Sequence, residues 1–216
     1  MMMPKNEEFK NIIGDIVNKL VNFFKLDSFK INIDNFLTKQ YTKGIDSAEI
    51  RFNMNFKPAE DISFLKDYAM QNVNDAADQI GKDLRKEISR SILNKENKGE
   101  LVKKIKTMFN DKKYSDRMKT ILRTEGLSAN NQGKLDGARQ SGLNPKKYLD
   151  IVLDNRTSDI CKAEGKKYGT PEQAIPLEED FIVTVKIGKK VKTVSGKRPV
   201  FHPNCRTTLR FVRTDE

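Results

Sequence analysis

Residues 62–92, ISFLKDYAMQNVNDAADQIGKDLRKEISRSI, decide how the fold is read. Ile62, Leu65, Ala69, Val73, Ala77, Ile80, Leu84, Ile88 and Ile92 recur at steps of three and four, the spacing that lines one face of an α-helix. At 1.5 Å rise per residue, about thirty residues make a rod of roughly 45 Å. Pro58 precedes the rod, and Asn94 to Gly99 (NKENKG) interrupts it.

Toward the C-terminus, Leu101, Val102, Ile105, Met108 and Phe109 predict a shorter helix, followed by a charged turn, NDKKYSD. A further helix is predicted from about Tyr114 to Gln140, stopped by Gly142 and Pro145. Short connections predict that these helices are antiparallel neighbours. The last one changes character midway. Met118, Ile121 and Leu122 give way to Arg123, Thr124, Glu125, Ser128, Asn130, Asn131, Gln132 and Gly133. Positions 125, 129 and 133 continue the face of position 121. A carboxylate, a small side chain and a glycine therefore point where bulk is expected, so a neighbour approaches that face closely.

Toward the N-terminus, residues 6–25 place Phe9, Ile12, Ile13, Ile16, Val17, Leu20, Phe23 and Phe24 on an amphipathic helix, with acids first and lysines last, as the helix dipole favours. From 34 to 52, Asp34 caps a predicted helix with Phe36, Leu37, Tyr41, Ile45 and Ala48 on one side. Gly44 counts against it, since glycine costs about 1 kcal/mol in a helix interior.

Beyond Pro145 the pattern turns to strands. Tyr148 to Leu153 reads as a strand, and Asp154 to Gly165 as turn and capping residues. Phe181 to Ile187 and Lys190 to Val194 form a predicted hairpin about Gly188, and RTTLRFV closes the chain with strand alternation. The fold class is α+β: an N-terminal helical arm (1–57), a long antiparallel helical hairpin or bundle (58–142) and a small, basic, β-rich C-terminal domain (143–216).

Composition narrows the chemistry. Of 216 residues, 33% are charged and 37% hydrophobic, with no Trp, which suits a soluble protein with long solvated helices. No run nears the roughly 18 apolar residues of a membrane span, and MMMPKNEEFK lacks the pattern of a secretory signal. No membrane partner is expected, and the product is expected inside a cell. The single histidine, His202, removes two-histidine metal centres and H-E-x-x-H proteases. G-x-G-x-x-G, G-x-x-x-x-G-K-[ST] and G-x-S-x-G are absent as well.

The net charge of +11 is concentrated in residues 112–216, with 22 basic and 13 acidic side chains. Within them, Lys186 to Arg198 (KIGKKVKTVSGKR) holds six cations, Lys186, Lys189, Lys190, Lys192, Lys197 and Arg198, and no acid. Such a cluster contacts DNA phosphates with salt-sensitive affinity. It serves equally to keep an exposed hairpin edge from pairing with other chains.

Two short segments stand out: Leu153 to Cys161 (LDNRTSDIC) and Phe201 to Arg206 (FHPNCR). If their strands pair, Cys161, His202 and Cys205 converge, with Asp159 or Asp154 nearby, a donor set that satisfies tetrahedral zinc. Three other readings stand beside it. The cysteines are small buried hydrophobes and His202 is hydrogen-bonded, or Cys161 and Cys205 form a disulfide, or Cys161 and His202 form a nucleophilic pair. Arg123, Glu125, Asp154 and Arg156 make a second set, read either as a receptor for a phosphate or carbonyl or as ion pairs fastening helix to small domain.

The order of these features resembles the portal-associated minor head proteins of tailed viruses, typified by the F protein of phage Mu. The resemblance runs through Ile121-Leu122-Arg123-Thr124-Glu125, Ala129-Asn130, Gly142, Asp154-x-Arg156-Thr157, Cys161, Gly165, Tyr168 and His202-Pro203-x-Cys205-Arg206, about residues 58–212. Ser158 and Thr207 stand where relatives often carry cysteine, so a four-thiol zinc centre does not carry over. The resemblance implies a structural protein of the virion and not an enzyme. It implies a chain bound to the portal protein or major capsid protein, at the capsid interior or portal vertex, and present in the host cytoplasm during assembly. It also implies a part in head assembly and in packaging or delivery of double-stranded DNA, which would be contacted without sequence specificity. No cofactor is implied beyond the zinc alternative. A freestanding nucleic-acid-binding module using 186–198 is the other functional reading, and a Cys/His enzyme the third.

Overall fold

A computed structural model describes residues 27–94, 99, 100, 103, 104, 107 and 112–213. The expected helix at 6–25 and Leu101, Val102, Ile105, Met108 and Phe109 lie outside the described residues, as do the side chains of Ala77, Ile88, Ile92 and Met118. The chain is α+β. In order it forms α1 (Asp27–Phe52), α2 (Ser63–Leu93), α3 (Lys112–Gln140), β1 (Lys146–Asp150), α4 (Asp159–Tyr168), a 3-10 turn (Pro171–Gln173), β2 (Ile175–Pro176), β3 (Phe181–Ile187), β4 (Lys190–Gly196) and β5 (Thr208–Val212). The described residues fall into two compact units: 34–66 with 122–213, and 27–33 with those described between 67 and 121.

The periodic stretch is a helix where its spacing predicts one. Asp61 accepts a hydrogen bond from the Ser63 backbone N–H at 2.8 Å, satisfying a donor at the start of α2. Leu65, Ala69, Val73, Ile80 and Leu84 are buried along one face.

α1 begins seven residues before the predicted cap. Asp34 therefore lies inside the helix, and its carbonyl accepts from the Thr38 hydroxyl. Gly44, read as a weakness, is a crossing point: a Cβ there would strike the backbone of Asn130 and Lys134 on α3. Gly133 of α3 is met in turn by the backbone of Tyr41 and Ile45. The close approach predicted at position 133 is thus the approach of α1, and two glycines remove the side chains that would hold the helices apart.

The polar residues of α3 are hydrogen-bonding partners for other segments. Asn130 donates to the Gln40 carbonyl, and Asp136 accepts from the Tyr41 hydroxyl. Asn131, with no exposed surface, donates to the Thr207 carbonyl at 3.2 Å and accepts from the Leu209 N–H at 3.0 Å. It therefore satisfies backbone groups around the start of β5 that would otherwise be buried without partners. α3 ends at Gly142, whose φ of +67° is the left-handed conformation glycine adopts readily.

β1 lies between β2 and β5 in an antiparallel sheet, with Leu149 opposite Leu209. It spans 146–150, earlier than the predicted 148–153, because the chain leaves the ladder for the Asp154 turn. β3 and β4 form the separate hairpin turning at Gly188. β3 alternates buried Phe181, Val183 and Val185 with exposed residues and packs beneath α4, where Phe181 meets Tyr168 edge-on at 5.1 Å. Asp154 to Gly165, read as turn, divides into a turn and α4, which Ser158 caps by accepting from the Cys161 N–H.

Candidate functional site

The two sequence segments singled out are joined by one bidentate ion pair. Asp154 accepts from the Arg206 guanidinium at 2.8 and 2.6 Å, and also from the Arg156 backbone N–H at 2.8 Å. These bonds hold the Asp154 carboxyl well below the usual carboxylate range. The Thr157 hydroxyl accepts from the Asp154 N–H and donates to the Val152 carbonyl. Asp154, Arg156 and Thr157 thus form a turn that ends on the Ser158 cap and sets the first turn of α4, where Cys161 sits.

The facing segment is equally fixed. The Cys205 N–H donates to the His202 carbonyl, and Asn204 adopts a left-handed φ of 59°, which asparagine tolerates. Thr124 of α3 accepts from the Asn204 N–H at 3.1 Å. Beside Thr124, Arg123 is exposed and Glu125 buried. Arg156 reaches Asp154 only at 3.7 Å and is largely exposed.

Cys161, His202 and Cys205 converge: one donor atom of each lies within 4.8 Å of the others. The two Sγ atoms are 3.8 Å apart and both thiols are free, well beyond the roughly 2.05 Å of a disulfide bond. His202 Nε2 lies 2.9 Å from Cys161 Sγ and 2.8 Å from Ser158 Oγ, while Nδ1 donates to the Pro203 carbonyl at 2.8 Å. The Thr207 hydroxyl donates to Cys161 Sγ at 3.5 Å. Cys205 is the sulfur pushed down, by the hydrogen bond from Cys161 and by His202, and Cys161 is the one pushed up by donating to it. Hydrogen bonding to the Cys205 sulfur raises His202.

Asp159 stands apart from this trio. It is exposed at the start of α4 and pairs with Lys162 at 3.7 Å. The acid on the inner side of the helix is Glu164, three residues on from Cys161. It has no exposed surface, and neither carboxylate oxygen has a hydrogen-bond partner. Burial first, and then the charge on Cys205, push its carboxyl up to about 8. Reading 154–165 as turn conceals Glu164, although i and i+3 on a helix share a face.

The basic segment divides in two. Lys197 pairs with Glu178 at 2.7 Å, and Arg198 donates to Gln132 and Ser128 of α3, each at 2.6 Å. Both are held by the fold. Lys186, Lys189, Lys190 and Lys192 stay exposed on the β3–β4 hairpin, with no ion pair among the described residues. Composition does not reveal a second basic locus: Arg51, Lys134 and Arg210 line a groove of about 260 Å³ with Ser47 and Tyr148. Burial and then Arg210 lower the Lys134 ammonium's affinity for its proton.

The Asp154–Arg206 pair lies within the part of the chain, residues 82–210, that matches a family of phage head-related proteins. Residues 82–210 match the family described as Phage Mu protein F like protein, and the chain belongs to that family. No curated protein and no solved structure matches the chain. No helix among the described residues is long and apolar enough to cross a membrane.

Proposed function

We propose that this chain is a minor head protein that binds the portal protein or the major capsid protein and contacts packaged double-stranded DNA through phosphates. It acts at the capsid interior or the portal vertex, after assembly in the host cytoplasm, and serves head assembly together with genome packaging or delivery. Family membership over 82–210 carries the reading. The four exposed lysines of the β3–β4 hairpin support the DNA contact, because a flexible ammonium meets a phosphate oxygen without reading base edges.

The role is structural and not catalytic. The recess beside Cys161 and His202, lined also by Ser158, Thr157 and Thr207, measures about 20 Å³, room for roughly one water and not for an organic substrate.

Purified full-length protein should bind unrelated DNA duplexes with similar affinity and release them as salt rises. It should also copurify with portal or capsid subunits coexpressed from the same virus. Salt-insensitive or strongly sequence-dependent binding contradicts the DNA contact, and failure to copurify with either subunit contradicts the docking role.

A further inference from the structure

We propose that Cys161, His202 and Cys205 bind one zinc ion and that the buried carboxylate of Glu164, not Asp159, offsets the ion's charge from just outside these three ligands. The donors come from two segments that the fold holds rigidly: the first turns of α4, capped by Ser158, and the His202–Cys205 turn, tied to α3 through Thr124 and to the Asp154 turn through Arg206.

The sulfurs are already at ligand spacing. Two thiolates each about 2.3 Å from a zinc ion, at the tetrahedral angle, stand about 3.8 Å apart. The Cys161 and Cys205 sulfurs are 3.8 Å apart. A recess of about 20 Å³ opens beside Cys161 and His202.

The groups around the trio are those of a metal centre. A ligating imidazole normally anchors its other ring N–H on a carbonyl or carboxylate. His202 does so through Nδ1 and Pro203, which leaves Nε2 directed at the sulfurs. The Thr207 hydroxyl donates to Cys161 Sγ, as an outer hydrogen-bond donor to a metal-bound thiolate does.

Glu164 adds a buried acid beside the three ligands. A carboxyl group with no exposed surface and two unpartnered oxygens is costly unless a cation or a proton neutralises it. It lies within electrostatic reach of both Cys205 and His202, one helical turn along from Cys161. Zinc provides that cation. With two thiolates, a carboxylate and a divalent ion the centre carries one net negative charge, and the Arg206 guanidinium, which feels both sulfurs, stands close enough to balance it. Soft thiolates with imidazole select zinc over magnesium or calcium.

The test uses untagged full-length protein purified without added metal. Elemental analysis should find one zinc per chain, and chelation should convert two unreactive thiols into two that react with a disulfide reagent. Cys205→Ser should lose the zinc. Glu164→Gln, which keeps the shape of the side chain, should weaken zinc about 10- to 100-fold in competition with a chromophoric chelator. Should Cys205→Ser not fold, the wild-type competition titration and thiol counts decide alone. Protein that takes up no zinc when zinc is supplied, or whose mass shows Cys161 and Cys205 oxidised to a disulfide, overturns the centre. Glu164→Gln with wild-type zinc affinity overturns the part given to Glu164.

Discussion

The Arg206 guanidinium grips the Asp154 carboxylate through both oxygens, at 2.8 and 2.6 Å. That pair sits where the two sequence motifs of the C-terminal region meet, so its removal takes away one of the ties between them, beside the contacts of His202 with Ser158 and Cys161. Arg206→Ala and Asp154→Ala should each lower Tm, and the double variant should lower it little further, because the two changes delete the same ion pair. Arg206→Lys should restore only part of the stability, since an ammonium cannot bond both oxygens in a plane. Thermal unfolding of the wild-type and variant proteins checks this; strictly additive effects would show that the side chains act separately.

Gly133→Ala should destabilise the protein by about 1–3 kcal/mol, although alanine is the better helix former. The new methyl would collide with the Tyr41 carbonyl of α1, and backbone on both sides leaves no flexible side chain to yield. Denaturant unfolding measures the change, and a stabilised Gly133→Ala protein would contradict the close crossing of α1 and α3.

Both sides of that crossing show what a single chain discloses. Small residues at 129 and 133 announce that something approaches, because an amphipathic helix otherwise spends those positions on Leu or Ile. What approaches is a tertiary fact, and Gly44, judged by helix propensity alone, points the wrong way. Asn131 and Ser128 look like exposed polar residues for the same reason: the β5 backbone and Arg198 that they satisfy lie 70 or more positions away. Cys161, His202 and Cys205 are legible as a set because cysteine and histidine are so scarce here. Glu164 is not, since one carboxylate among many has no local mark until burial is known. Lys197 and Arg198 look equivalent to the other hairpin cations, and only the positions of Glu178, Gln132 and Ser128 separate them.

Stability should rise as pH increases from about 8 toward 10.5, through Lys147. This lysine of β1 has no exposed surface; its ammonium donates to the Leu177 and Lys197 carbonyls at 2.7 and 2.6 Å and lies 5.0 Å from the Phe181 ring centroid. Burial lowers its pKa from 10.5 to about 8, while Asp180 and Glu178 oppose the shift and Arg139 and Lys197 add to it. Between those two values the unfolded chain holds the proton more firmly than the folded one, so removing protons favours the fold. Denaturant unfolding across that window should show the rise in wild-type protein and a weaker one in Lys147→Met. The same slope in both would assign the effect elsewhere.

Replacing Lys186, Lys189, Lys190 and Lys192 together by alanine should weaken binding to any duplex and reduce the slope of log affinity against log salt by about 0.9 for each phosphate no longer neutralised. Lys197→Ala should change DNA affinity far less, because its ammonium is engaged by Glu178. Should the quadruple variant bind normally while changes at Arg51, Lys134 and Arg210 abolish binding, the groove and not the hairpin would be the contact surface.

Asymmetric electron-microscopic reconstruction of particles assembled with and without this chain tests the proposed role most directly. Density for the chain is expected at the portal vertex or inner capsid wall, with the β3–β4 hairpin facing the packaged DNA, and it should vanish when the gene is deleted. Particles that assemble, fill and image identically without the chain would contradict the role.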